Sequence, residues 1–62
     1  MEGANDYSQK YAETMQEMYD TLTGIQEAYL NGEIKTQTEY NEAMTAAQEY
    51  YYQKLEDFSS LY

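Results

Sequence analysis

One period organises the chain. Apolar side chains fall at Tyr11, Met15, Met18, Leu22, Ile25 and Tyr29 in the first half, and at Tyr40, Met44, Ala47, Tyr51, Phe58 and Leu61 in the second. The steps alternate four and three, with one slot taken by Lys54. A strand turns its side chain over at every residue, so its apolar period is two; steps of four and three keep one stripe of a helix facing a partner helix. Each half is therefore expected to be an amphipathic helix. Asp6, Glu13, Asp20 and Glu27, then Glu42, Glu49 and Glu56, recur on the same seven-residue beat. Counted from that seam, the acids lie on the side turned away from it.

The boundaries follow from local chemistry. Asn5 is a good N-cap residue and Asp6 offsets the positive end of a helix dipole, so the first helix is expected from about residue 5 to 30. Asn31-Gly32 tolerates the left-handed backbone that ends a helix, which places a turn at 31–35. Thr36-Gln37-Thr38-Glu39 matches a capping box, and the second helix should run from about 36 to 61. So short a link makes the two helices antiparallel. The expected fold is an all-α, antiparallel two-helix hairpin occupying the 62 residues as one domain and completed by packing with other subunits. In that pairing Tyr29 meets Tyr40, Leu22 and Ile25 meet Met44, Met15 and Met18 meet Ala47 and Tyr51, and Ile34 tucks over the closed end. The order Gly32, Ile34, Glu39, Tyr40 resembles the turn of the short helical-hairpin modules of the SHOCT type. The aromatic falls one residue later than in that pattern, and the likeness covers residues 30–40 alone; it carries no function.

Size and charge narrow the function classes. A 62-residue chain buries only about 60% of the surface that its unfolded form exposes, so its own core is marginal. With no cysteine and no histidine it has neither a disulfide nor the usual zinc ligands, which leaves packing against another copy or another protein as the way to gain stability. Acidic composition can signal disorder; nine tyrosines, four methionines, the lack of proline and the regular seam argue for an ordered helical chain. The net charge is −9, with six acids and one lysine over residues 1–31 and six acids and two lysines over residues 32–62. Such a chain is repelled by phosphate backbones and anionic lipid, so direct nucleic-acid or membrane binding is not expected. No run approaches the ~20 apolar residues of a membrane span, and Met1-Glu2-Gly3-Ala4 lacks the regions of a signal peptide; a cytoplasmic or virion location is expected.

Catalysis has little to work with. There is no histidine, cysteine or arginine and no glycine-rich phosphate loop, and paired carboxylates such as Glu39 and Glu42 need a desolvating cleft that a hairpin does not offer. The expectation is a non-enzyme with no cofactor and no metal. The functional signal is instead surplus apolar area. Tyr50, Tyr52, Leu55, Phe58, Leu61 and Tyr62 exceed what a two-helix seam can hide, and tyrosine is favoured where a ring must fill an irregular interface pocket. These six are the candidate protein interface of a small acidic structural, assembly or adaptor protein, as a homo-oligomer or in a larger hetero-complex such as a phage virion. The alternative from another class uses Glu13, Glu17 and Asp20 as an acidic interaction face, imitating the phosphates of nucleic acid to block a basic site on an enzyme. A small chaperone masking a sticky partner helix would use the same apolar face as the assembly protein. Lys54, in the seam, either pairs with Asp6 or Glu13 across the hairpin or lays its stem along the surface with its charge in water.

Overall fold

A computed structural model describes residues 2–60, with side chains from Asp6 onward. Helix α1 runs Glu2–Leu30 and helix α2 runs Gln37–Ser59; no strand occurs among the described residues. The helix is already formed at Glu2, so Asn5 lies inside it rather than at its cap, and the Asn5 side chain is outside the described set, as are Leu61 and Tyr62. Tyr29 stacks on Tyr40 at the closed end, 4.6 Å between ring centroids, while Tyr7 meets Phe58 edge-on at 5.6 Å near the open end. The helices are therefore antiparallel along their whole length.

The turn is built by backbone hydrogen bonds. Gly32 takes φ +85°, and its N–H donates to the Tyr29 carbonyl at 3.2 Å while the Glu33 N–H donates to the Ala28 carbonyl at 2.9 Å. Those two bonds are a Schellman motif, which satisfies carbonyls that α1 would otherwise leave bare. The Ile34 N–H reaches the same Ala28 carbonyl at 3.1 Å, and Ile34 is half-buried. At the start of α2 the Thr36 hydroxyl accepts the Glu39 N–H at 3.1 Å. The return half of the box is displaced by one residue: the Glu39 carboxylate accepts from the Lys35 N–H, at 3.4 Å, instead of from Thr36.

Packing is thin. Met18, 7% exposed, is the sole buried apolar side chain among the described residues, and Thr14, 4% exposed, is the buried polar one. The molecule measures 47 × 16 × 9 Å with a Cα radius of gyration of 14.5 Å, against about 11 Å for a compact chain of this length. Its accessible surface, 4740 Å², exceeds the roughly 4,200 Å² expected at 7.3 kDa. An elongated pair of rods has too few layers to enclose a core, and this chain keeps nearly all of its apolar residues half in water.

The seam on α2 follows the expected beat, with Tyr40, Met44, Ala47, Tyr51, Lys54 and Phe58 all half-buried. On α1 it is turned. Tyr7, Thr14, Met18, Thr21, Ile25 and Ala28 face the partner, so the stripe is rotated by about 50°, one neighbouring heptad row, from the one centred on Met15, Met18, Leu22 and Ile25. Threonine explains the difference. Its methyl packs like a small apolar group, and its hydroxyl can be matched across the seam: Thr21 and Tyr51 share a 3.0 Å hydroxyl–hydroxyl hydrogen bond. Tyr7 and Ser59 make a similar one at 2.9 Å. Met15 and Leu22 are pushed to the flank, where they remain half-buried, and the acidic row of α1 is carried off the back toward one side.

Candidate protein-interaction face

Two antiparallel rods have two broad sides, and the rotation of α1 makes them chemically different. One side carries a shallow groove of about 440 Å³ lined by Lys10, Glu13, Thr14, Glu17, Lys54, Asp57 and Phe58. Across it the Lys54 ammonium meets the Glu17 carboxylate at 3.3 Å, so the cross-hairpin contact forms with Glu17 and not with Asp6 or Glu13. The seam rotation brings the row of Lys10 and Glu17 against α2, leaving Glu13 one row further out. The Lys54 and Glu17 side chains stay 43% and 51% exposed, so the pair is solvent-screened and contributes under about 1 kcal/mol. The lysine stem lies along the seam and its nitrogen sits 6.0 Å from the Tyr51 ring centroid, while its charge stays wet.

The acidic candidates Glu13, Glu17 and Asp20 are all exposed on this side of α1. Each has a local partner: Gln9 donates to Glu13 at 3.3 Å, Gln16 donates to Asp20 at 3.0 Å, and Lys54 takes Glu17. Tyr50, 61% exposed, belongs to the same broad side, where it lines a second shallow depression with Gln53, Lys54 and Asp57.

The other broad side has no charge in its four rows and is bordered along the edge of α2 by Glu42 and Glu49. On α1 its rows are Ser8, Met15, Leu22 and Tyr29, then Ala12, Tyr19 and Gln26; on α2 they are Asn41, Gln48 and Leu55, then Thr38, Thr45, Tyr52 and Ser59. A charged share of 24% would put about three charges among these fourteen positions, and there are none. Handedness sets which rows coincide. Going around two antiparallel right-handed helices in the same sense along each chain leads to the same side, so the Met15 row and the Leu55 row lie together, opposite the groove. Tyr19 is 67% and Tyr52 56% exposed, with Met15, Leu22, Gln48 and Leu55 half-buried between them.

The six sequence-derived interface residues are thus distributed. Tyr52 and Leu55 lie on the uncharged side and Tyr50 on the groove side. Phe58 points into the seam against Tyr7, and Leu61 and Tyr62 fall outside the described residues. Met15, Tyr19 and Leu22 join the uncharged side although the sequence reading gave two of them to the hairpin seam. The signal that could have found this face was the lack of Asp, Glu and Lys in particular heptad rows, visible in the sequence once rows are inspected for what they omit. Among the described residues no three Asp or Glu side chains gather closely enough to hold a metal ion, and no helix is long and apolar enough to cross a membrane. Comparison with protein-family models, curated proteins and solved structures gives no match.

Proposed function

We propose that this chain is a non-enzymatic structural or adaptor protein that docks into a larger protein assembly through its uncharged side. One observation carries the reading: in a chain of net charge −9, a face about 32 Å long holds Tyr, Met and Leu and not one ionised group. Surfaces that need only stay in water have no reason to exclude charge, whereas interface centres are depleted of it because an ion buried without a partner is costly. The thin seam points the same way, since burying Met15, Leu22 and Leu55 against a neighbour would add the core that the hairpin lacks. The test is native mass in lysate of the source cell. The chain should migrate within a larger complex, and Tyr52→Glu should release it; migration of the wild type at its single-chain mass contradicts the proposal.

The inhibitor reading draws support from the gathering of Glu13, Glu17, Asp20 and Asp57 on the groove side, which strengthens the field there. It requires the groove side to be the working face. Charge reversal at Glu13, Glu17 and Asp20 together abolishes an inhibitor of a basic enzyme site and leaves an assembly protein in its complex.

A further inference from the structure

We infer that the occupant of the uncharged face is a second copy of this chain, its own uncharged face laid against the first to form a two-fold symmetric four-helix bundle. The inference rests on the docking reading above and names its partner.

Charge selects the occupant. A chain of −9 gains most from a basic partner by presenting acids at the contact or its rim, where they steer encounter and pair with lysines and arginines. The four rows of this face give up that advantage at the contact itself, with Glu42, Glu49 and Glu56 of α2 kept to its rim. A neutral face is instead what is required when the partner bears the same sign, because like charges brought together across an interface cost several kcal/mol. In a face-to-face pair the acidic row of Glu13, Asp20 and Glu27 on each copy points to the far side of its own hairpin, and the row of Glu42, Glu49 and Glu56 points sideways from the outer edge of α2. The α1 sets are then separated by more than the ~8 Å over which physiological salt screens a charge, and the α2 rows at the edges are the source of the residual repulsion that salt weakens.

The area also fits. The uncharged rows run from Ser8 to Tyr29 and from Thr38 to Ser59, about 32 Å of helix, so with the 16 Å width the footprint offers about 500 Å² per copy and the pair buries about 1,000 Å², the low end for a specific interface and suited to a pair that dissociates on dilution. A two-fold axis needs one patch to be complementary to itself. Met15, Leu22, Gln48 and Leu55 supply a half-buried centre, with Tyr19 and Tyr52 as the projecting rings on either edge. Placing two such hairpins together turns a single layer of rods into a two-layer bundle with an enclosed core.

The experiment is sedimentation equilibrium of the purified full chain, diluted from about 500 to about 1 µM, in low and high salt. Twice the 7.3 kDa chain mass is expected at the concentrated end, with dissociation on dilution, and added salt should leave the pair unchanged or tighten it by screening the residual repulsion. Tyr52→Glu and Tyr19→Glu, both at exposed sites that a folded hairpin tolerates, should each raise the dissociation constant at least about tenfold, while Tyr50→Glu on the groove side should not. Single-chain mass at every concentration overturns the inference, as does equal weakening by Tyr50→Glu and Tyr52→Glu. A chain that is single when pure but enters a complex in source lysate in a Tyr52-dependent way sinks self-pairing and leaves the docking reading standing. A chain that does neither sinks both.

Discussion

Replacing Met18 by alanine probes the seam at its most buried point. Met18 is 7% exposed and is the one buried apolar side chain among the described residues, so the whole hairpin leans on it. Truncating a buried methionine costs about 2–5 kcal/mol, less where the surroundings can close over the gap. Here the neighbours Thr14, Thr21 and Ile25 belong to a seam with water on both sides, so relaxation is easy and the lower end, about 2–3 kcal/mol, is expected. A domain of 62 residues has roughly 3–9 kcal/mol in total, which makes this a large share. At about 4–8 °C per kcal/mol for so small a domain, the midpoint should fall by roughly 8–24 °C. The assay is thermal melting by circular dichroism at 222 nm, with every variant at one fixed concentration because association shifts the midpoint by mass action. Met18→Leu, which keeps the volume, should cost less than about 1.5 kcal/mol. A Met18→Ala midpoint indistinguishable from wild type refutes the reasoning, because the seam would then not be what holds the helices together.

Four further substitutions test separate parts of the fold by the same melts. Gly24 sits exposed in the middle of α1 with nothing beyond its own stretch of helix within 4 Å of where a Cβ would stand, so Gly24→Ala should stabilise by about 0.5–1 kcal/mol; a lower midpoint would mean that something approaches that backbone. Gly32→Ala faces equally open space but must adopt φ +85°, and should cost about 1–2 kcal/mol. Thr36→Ala removes the hydroxyl that accepts the Glu39 N–H and should cost about 1 kcal/mol, a loss that Thr36→Ser should largely restore. Lys54→Met puts an apolar side chain into the seam and gives up only a screened ion pair, so the midpoint should rise; a marked fall would show that the Glu17 contact matters more than its exposure implies.

The helices and the turn were legible because their causes are local. The four-three beat, Gly32 in the left-handed region and the Thr36–Glu39 pair each act within a few residues, and each appears in the structure. The rotation of α1 was not legible from apolar positions alone. It depends on Thr14 and Thr21 entering the seam, and a threonine declares its role only once a partner such as the Tyr51 hydroxyl stands opposite. That one misplacement propagated. With the seam centred one row away, Met15 and Leu22 counted as hairpin core and the acids appeared to lie directly behind them, which hid a side with no charge in its four rows. Phe58 was counted twice, in the seam by the beat and on an outward face by the surplus near the C-terminal end; Tyr7, not counted in the seam, takes the ring inward as the beat expects.

The most direct test is residue-resolved. A soluble paramagnetic agent added to the concentrated protein speeds relaxation of protons that water can reach. If the uncharged side is covered, the Met15 methyl and the Tyr19 and Tyr52 rings will be protected while the Tyr50 ring, equally exposed in the lone hairpin, relaxes strongly; on dilution the protection should be lost. Equal relaxation of Tyr50 and Tyr52 at every concentration, in purified protein and in its native complex alike, would contradict the existence of a covered face.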